Sequence, residues 1–252
     1  MKRQSLCSRA IIRGVRGAKP LSKILPFPLY KGKGIKRIGL VNNLQRPSFA
    51  EEKVLEAQGY QLIAGIDEAG RGSLAGPVVA AAVILPRHID TPWLNEVKDS
   101  KQLSPAKREL LFHHIHEVAT SVGIGVVYHE VIDAQGIVKA TQLAMKLAID
   151  QLSPPPESLL IDHMFLPKVP LPQKGIPNGD SLCFSIACAS IVAKVARDQL
   201  MVELDKTYPG YGLAQHKGYG TKEHLLCLRR LGPCPIHRQS FQPVKDVIQQ
   251  EK

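Results

Sequence analysis

The sequence predicts one compact α/β domain that begins near Tyr60 and includes the rest of the chain. Two patterns indicate this class. Short runs rich in β-branched residues have the length of buried strands, and longer segments between them carry apolar residues at helical spacing. The composition agrees, because 44% of the 252 residues are hydrophobic and 22% are charged, as in an average globular protein.

The domain begins with two predicted strands, residues 60–67 and 77–85, which are joined by a glycine-rich turn. We expect these strands to form a hairpin. A helix is predicted from Ser104 to about Ala119, because Ser104 is a good N-cap residue and a proline occupies the next position.

The remaining elements alternate between strand and helix. A third strand is predicted over residues 122–129, followed by an amphipathic helix over about 132–152 that ends at three prolines. A short apolar strand over 158–162 leads into a proline-rich crossing. Two further helices are predicted, a long one over about 181–206 and a last one over 221–231 that ends at a glycine.

Residues 1–58 are predicted to be a basic, disordered N-terminal arm that precedes the folded domain, residues 59–252. The first 50 residues hold twelve of the 33 Lys and Arg residues and none of the 22 Asp and Glu residues, so the net charge of +11 belongs to this segment. Early prolines and the lack of sustained periodicity exclude a long helix there. A mis-assigned start, an accessory nucleic-acid arm and a targeting segment are the alternatives.

The sequence excludes a membrane span, because its longest uncharged apolar run, residues 76–85, is about half as long as the roughly 20 residues that a bilayer requires. The five cysteines are odd in number and form no C-x-x-C pair, so they indicate reduced thiols rather than a disulfide framework. We therefore expect a cytoplasmic protein, with no membrane partner, that acts as a monomer.

Four carboxylates stand out by their positions. Asp67 and Glu68 end the first predicted strand, Asp162 ends a later strand, and Asp180 follows a glycine just before a helix. Neighbours on a regular strand point to opposite faces, so Asp67 and Glu68 are expected to converge only if the strand has begun to turn. An all-oxygen cluster favours Mg²⁺ or Mn²⁺, and two such ions are the machinery of phosphodiester hydrolysis.

Seven motifs cover most of the chain beyond the arm. They are IDEAGRGSLAGPV (66–78), DSKQLS (99–104), GDS (179–181), SIACASIVAKVARD (185–198), YPGYG (208–212), HKGYGT (216–221) and HRQSF (237–241). In this order they closely resemble bacterial ribonuclease HII, the type 2 ribonuclease H family. The resemblance implies a ribonuclease H-like fold, which is a five-stranded mixed sheet flanked by helices, with extra C-terminal helices.

The resemblance also implies an endonuclease that cleaves RNA in RNA/DNA hybrids. The implied activity includes incision 5′ of a single ribonucleotide in duplex DNA, which leaves 3′-hydroxyl and 5′-phosphate ends. By the same resemblance, this activity serves ribonucleotide removal and primer clearance. By motif position, the family's metal-binding and catalytic carboxylates match Asp67, Glu68, Asp162 and Asp180. The match departs from the family at one point, because the family usually has glycine where His163 follows Asp162 here.

Substrate recognition requires a group that senses the ribose 2′-hydroxyl. The family selects an RNA-to-DNA junction with a Gly-Arg-Gly loop and a tyrosine. Gly70, Arg71 and Gly72 resemble that loop, and Tyr219 resembles that tyrosine. The residue types indicate further phosphate contacts. These candidates are Lys101, Ser185, Lys194 and Arg197.

Two rival functions stay open from the sequence. Other metal nucleases of the same superfold, such as DEDD-type exonucleases and resolvases, share scattered carboxylates but lack the Gly-Arg-Gly loop and the Lys-Gly-Tyr-Gly segment. A non-catalytic nucleic-acid binder would use the basic arm instead, and the four intact carboxylates argue against it.

Overall fold

The computed structural model describes residues 46–250. Its centre is a five-stranded sheet formed by β1 (Ile63–Ala69), β2 (Val78–Ile84), β3 (Ser121–Val127), β4 (Ser158–Asp162) and β5 (Gln173–Ile176). The strand order is β3-β2-β1-β4-β5, with the first three strands antiparallel and both β1–β4 and β4–β5 parallel. The predicted hairpin of the first two strands and the predicted five-stranded mixed sheet are confirmed.

Helices cover both faces of this sheet. One face packs against α4 (Ile137–Asp150), whose buried Ala144 and Ala148 belong to the same apolar cluster as Ile66 and Ala80. The other face packs against α5 (Phe184–Thr207) and α2 (Pro105–Val118). Every residue of β2 is buried, as expected for a strand covered on both sides.

The approach of α5 to β1 requires a glycine. A Cβ atom at Gly65 would lie 2.1 Å from the backbone carbon of Ser185, so no side chain fits between the strand and the start of the helix. This contact fixes α5 directly behind the strand that ends in the acidic pair.

Within the described residues, three short helices follow α5: α6 (Leu213–His216), α7 (Lys222–Leu231) and α8 (Gln242–Gln250). Leu228 of α7 and Val244 of α8 form a small apolar cluster with Leu74, which belongs to the loop between β1 and β2. The extra C-terminal helices therefore pack against the loop that carries the Gly-Arg-Gly segment.

Several boundaries differ from the sequence-based predictions. The helix predicted over 132–152 is two helices, α3 (His129–Gln135) and α4, because Gly136 between them has φ +82°. The proline-rich crossing contains β5, and the long helix begins at Phe184 after a 3-10 turn over Gly179–Ser181.

The predicted arm also differs from the structure at its C-terminal end. Residues 1–45 lie outside the described residues, and the prediction stays a prediction there. Within residues 46–58, however, α1 (Ala50–Ala57) buries Leu55 against Ile63 and Leu160 of the sheet. No helix of the described residues is long and apolar enough to cross a membrane.

Candidate active site

The acidic residues converge where two parallel strands end. Ile66 of β1 pairs with Ile161 of β4, so the residues that follow them, Asp67 and Asp162, lie side by side at the same edge of the sheet. β1 has not begun to turn at Glu68, because its pairing with β2 continues through Ala69. Instead, Asp67 Oδ1 accepts a hydrogen bond of 2.7 Å from the Glu68 backbone N–H.

Asp67 is almost completely buried, with 6% of its surface exposed. Burial raises the pKa of Asp67 well above its ordinary value, and the negative charges of Glu68 and Asp162 raise it further. The negative charges of Glu68 and Asp162 therefore repel that of the buried Asp67 side chain. The hydrogen bond from the Glu68 backbone N–H, and to a smaller extent Ser190 of α5, lower the pKa of Asp67 but offset only part of this rise.

Glu68 lacks a complete set of partners. Its side chain is 7% exposed, and its Oε2 atom is buried without any hydrogen-bond partner. Burial raises the pKa of Glu68, and Asp162 adds to that rise, whereas His163 and Arg71 oppose it. Arg71 Nη1 lies 3.6 Å from Oε1 of Glu68, so only one of the two carboxylate oxygens faces a cation.

Asp162 connects the end of β4 to the turn that carries Asp180. Its Oδ1 atom accepts a 2.8 Å hydrogen bond from the Gly179 backbone N–H. A Cβ atom at Gly179 would lie 2.6 Å from Cδ1 of Ile186, so any side chain there would displace Ile186. Asp180 is thereby held beside the strand ends, and burial together with Asp99 and Asp162 raises its pKa, although Lys101 lowers it.

Lys101 faces this acidic cluster from the 3-10 turn over Ser100–Gln102. Its Nζ atom lies 3.7 Å from Asp180 Oδ2, while its side chain is 80% exposed. Partial burial lowers the pKa of Lys101, but Asp99, Asp180, Asp67 and Asp162 outweigh that effect and raise it. The lysine therefore stays charged at the rim, where a phosphate could also contact it.

His163 is a site residue for which the sequence predicted no role. Its Nδ1 atom lies 3.0 Å from Asp162 Oδ2 and its Nε2 atom lies 2.7 Å from Arg71 Nη1. The imidazole thus joins an acidic residue of β4 to the Gly-Arg-Gly loop. Its φ of +42° lies in the left-handed region that favours glycine, which explains why a glycine suits this position.

The donor set fits a hard divalent cation. All four acidic side chains offer oxygen, burial and mutual repulsion raise the pKa of three of them, and Glu68 Oε2 has no partner. Among residues 46–250, no three Asp, Glu, His or Cys side chains are already arranged around one position for a metal ion. A site without three preformed side-chain ligands is usual for Mg²⁺, because this ion is commonly held by one or two carboxylates together with water and substrate phosphate oxygens.

Two buried arginines, Arg197 and Arg238, hold the loop after β1, and we call them the frame arginines. Both are 0% exposed. Arg238 donates to the carbonyls of Gly70, Arg71 and Gly76 over 2.7–3.1 Å. The prediction that Arg197 reaches substrate phosphates is therefore wrong, because its guanidinium is enclosed.

Arg197 connects the Gly-Arg-Gly loop to the segment around Tyr219. It donates to the Pro77 carbonyl at 2.9 Å and to the Lys217 carbonyl at 3.0 Å. A Cβ atom at Gly70, where φ is +87°, would lie 1.8 Å from Arg197 Nε. The first glycine of the loop is therefore required for packing, whereas Gly72 is exposed and has no atom within 4 Å of a Cβ position.

Tyr219 lies above two cations of α5. The Lys194 Nζ atom is 5.6 Å and the Arg197 Cζ atom 5.4 Å from its ring centroid. Lys194 is half-buried and also donates a 2.7 Å hydrogen bond to Asp198. One buried arginine, Arg197, thus contacts both the tyrosine ring and the Gly-Arg-Gly loop.

Ser185 does not join this group. Its side chain is 1% exposed, and its backbone N–H donates to Glu52 Oε1 of α1 at 2.9 Å. Its enclosed position does not support the prediction that it contacts substrate phosphate. Ser185 and Glu52 instead line a cavity beside α1.

A five-stranded mixed sheet with carboxylates at the ends of β1 and β4 defines the class of ribonuclease H-like nucleases. Solved structures of that class are similar to this chain. The ribonuclease H2 of Pyrococcus horikoshii matches with a TM-score of 0.58 and 22% identity over 75% of this chain and 97% of its own. The ribonuclease HII in a PCNA complex from Archaeoglobus fulgidus matches with a TM-score of 0.60 and 25% identity over 74% and 96%.

Sequence comparison identifies the family within that class. The family model described as Ribonuclease HII matches residues 64–244. A Ribonuclease HII of Dehalococcoides mccartyi is 59% identical over 80% of this chain and 95% of its own length, and one of Geotalea uraniireducens is 50% identical over 86% and 100%. The chain belongs to the ribonuclease HII family, which confirms the resemblance and the fold predicted from the sequence.

Family membership establishes the general activity. The chain is an endonuclease of the ribonuclease H type that hydrolyses RNA in RNA/DNA hybrids, and its family depends on a divalent metal. The roles of the individual site residues stay predictions.

Proposed function

We propose that this protein incises duplex DNA on the 5′ side of an embedded ribonucleotide, as well as cleaving longer RNA/DNA hybrids, and leaves 3′-hydroxyl and 5′-phosphate ends. Asp67, Glu68, Asp162 and Asp180 would hold two divalent ions. The observation that carries this proposal is the acidic cluster, in which Glu68 Oε2 is buried without a partner and three pKa values are raised. Bound divalent ions would supply activation of a water and stabilisation of the leaving oxygen.

The chain's own groups would orient the substrate. Lys101 is exposed at the rim of the acidic cluster and can contact the phosphate backbone there. Lys194 is half-buried beneath Tyr219, and its Nζ atom can reach a phosphate only by loosening its ion pair with Asp198. Both lysines would position the nucleic acid rather than read its sequence.

The sugar next to the scissile phosphate would be read by Gly70, Arg71, Gly72 and Tyr219. Exposed Gly72 lets a ribose approach the backbone closely, and the carbonyls of Gly70 and Arg71 are already held by Arg238. The Tyr219 ring would stack on the adjacent deoxyribose and clash with a second 2′-hydroxyl. Such an arrangement favours a junction between RNA and DNA.

The test uses end-labelled 20-mer duplexes that carry one ribonucleotide, a continuous RNA strand or DNA alone. With Mg²⁺ or Mn²⁺, we expect cleavage on the 5′ side of the single ribonucleotide and along the hybrid, no cleavage of DNA, and no product in EDTA. Product ends are identified by ligation, which requires a 5′-phosphate and a 3′-hydroxyl. Cleavage of the hybrid without incision at the single ribonucleotide would contradict the proposed substrate range.

The choice of ion is tested in the same assay by titrating Mg²⁺ and Mn²⁺ separately. Hill analysis of the initial rate should indicate more than one ion per active site. A hyperbolic dependence on a single ion across both titrations would contradict the two-metal mechanism and leave the substrate assignment intact.

A further inference from the structure

Two histidines behind Tyr219 form a buried hydrogen-bonded pair. His224 of α7 and His237 are both 0% exposed, and their Nε2 atoms are 3.1 Å apart. His224 Nδ1 lies 2.9 Å from the Tyr219 carbonyl oxygen. We call His224 and His237 the histidine pair. Nothing in the metal chemistry of the acidic cluster uses these residues.

The partners of the pair determine where its protons lie. His237 Nδ1 lies 3.0 Å from the Cys234 backbone N–H, a donor, and 3.2 Å from the Cys234 carbonyl oxygen, an acceptor, so the contact with His224 decides which nitrogen of His237 carries the proton. If His224 Nε2 accepts, the proton of His237 is on Nε2, and His237 Nδ1 accepts from the Cys234 N–H. The Tyr219 carbonyl can only accept, so His224 Nδ1 carries its proton and His224 Nε2 accepts. The result is a one-way chain from the Cys234 N–H through both rings to the Tyr219 carbonyl.

This chain requires both rings to be neutral. Burial lowers the pKa of His224, and burial together with His224 lowers the pKa of His237 to about 4. His216 stacks on the His224 ring at 4.3 Å between centroids and accepts from the Gly218 N–H. The pair is therefore enclosed by the same segment that carries Tyr219.

We propose that the histidine pair is a positioning device that fixes the backbone of Tyr219, and through it the pose of the tyrosine ring over Lys194 and Arg197. His224 and His237 are positioning residues, since neither is near the reacting atoms. The inference rests on the proposed junction-sensing role of Tyr219. It adds that junction selectivity depends on a donor from α7 as well as on the ring itself.

Two variants at one position separate the two halves of the chain. The side-chain nitrogen of asparagine, a donor, is as many bonds from Cα as Nδ1 of histidine. The side-chain oxygen of glutamine, which can accept from His237 Nε2, is as many bonds from Cα as Nε2 of histidine. His224→Asn can therefore keep the donor to the Tyr219 carbonyl and lose the contact with His237, whereas His224→Gln does the reverse. Both variants remove the ring, so any common loss of packing is matched between them.

The measured quantity is junction preference, which is the ratio of kcat/KM on a single-ribonucleotide duplex to that on a uniform RNA/DNA hybrid. We expect Tyr219→Ala to lower this ratio by about tenfold, because displacement of the scissile phosphate is costly. His224→Gln should lower the ratio nearly as much through kcat, with KM little changed. His224→Asn should keep the ratio within about twofold of the wild type. Equal ratios in the two His224 variants would overturn the inference.

A second readout distinguishes failure of this inference from failure of the proposed function. In protein labelled at the tyrosine ring carbons, the Tyr219 resonance is the one absent from Tyr219→Phe. It should shift in His224→Gln and stay near its wild-type position in His224→Asn. If Tyr219→Ala leaves junction preference unchanged, the sensing role fails, and these resonances alone then decide the positioning role: the expected pattern supports it and equal shifts overturn it.

Discussion

The acidic cluster and the frame arginines both bury several like charges within one small region, but they differ in how those charges are satisfied. Glu68 retains a buried oxygen without a partner, and the pKa of Asp67 is raised by its acidic neighbours. Arg238, by contrast, donates to three carbonyl groups, and Arg197 donates to three carbonyls and the Ser73 hydroxyl. Burial lowers the pKa of Arg238 to about 9, so it remains charged at neutral pH.

This difference separates a site from a support. Charges whose partners are missing in the folded protein are poised for a ligand, and we propose that the missing partner here is a cation. Charges whose donors are all matched by backbone carbonyls determine the path of the chain instead. The frame arginines thus hold the Gly-Arg-Gly loop in place next to a cluster of carboxylates that raise one another's pKa.

The largest contrast is expected from removing one charge of the acidic cluster. Asp67→Asn and Asp180→Asn should each reduce kcat by several orders of magnitude, on the order of 10³-fold or more, because metal binding is impaired while side-chain volume is unchanged. Circular dichroism and thermal melting should show a native fold. Substantial turnover by Asp67→Asn at saturating Mn²⁺ would contradict the assignment of Asp67 as a metal ligand.

For the frame arginines, we expect a loss of stability rather than a loss of metal binding. Arg238→Lys leaves the carbonyls of Gly70, Arg71 and Gly76 without most of their donors, so the free energy of unfolding should fall by about 3 kcal/mol or more. Urea denaturation measures this loss, and added metal should not restore it. The matched control is Arg229→Lys at an exposed position of α7, where we expect a change within about 0.5 kcal/mol.

A smaller effect concerns pH in the metal-free protein. The folded-state pKa of Asp67 is raised, so the folded protein binds more protons than the unfolded chain and Asp67 destabilises it at neutral pH. Asp67→Asn should therefore be more stable than the wild type in EDTA near about pH 7.5, and the gap should narrow toward about pH 5 as Asp67 takes up a proton.

Comparing the two proteins at each pH matters because His237 acts in the other direction. Its pKa of about 4 lies below the ordinary histidine value, so its contribution to stability is lost as the pH falls. That contribution is common to both proteins and cancels in the difference. Asp90→Asn, at an exposed position, serves as the control. A gap that widens on acidification would contradict the repulsion described for the acidic cluster.

Local rules predicted the elements that local chemistry determines. The hairpin of β1 and β2 follows from two apolar runs around a glycine-rich turn, and α2 begins where Ser104 accepts from the Lys107 N–H, as its cap position requires. Asp67, Asp162 and Asp180 could also be identified from the sequence, because each ends a predicted strand or precedes a predicted helix.

What the sequence could not give depends on contacts made over long distances along the chain. β5 has one buried residue, Ile176, and lacks the apolar run that identifies a strand. The helix α1 is held by Leu55 and by Glu52, whose Oε1 atom accepts from Ser185. Arg197 resembled a phosphate contact because arginines are rarely buried, and only the folded loop provides the carbonyls that enclose it.

The smallest effect is expected at His163, which lies between the site and its support. Replacing it with glycine removes the contacts with Asp162 and Arg71 but relieves the left-handed backbone, which is worth about 1–2 kcal/mol. His163→Gly should therefore leave the free energy of unfolding within about 1 kcal/mol of the wild type and lower kcat by less than about tenfold, since all four carboxylates remain.

His163→Ala separates those two contributions, because alanine loses the same contacts and keeps the strained backbone. It should be less stable than His163→Gly by about 1 kcal/mol, measured by urea denaturation, while its kcat should match that of the glycine variant. If alanine and glycine are equally stable, the φ of +42° carries no strain. If instead both variants lose activity as severely as Asp67→Asn, the link from Asp162 to Arg71 is part of the catalytic site. His163 would then belong with the acidic cluster rather than with the loop that the frame arginines hold.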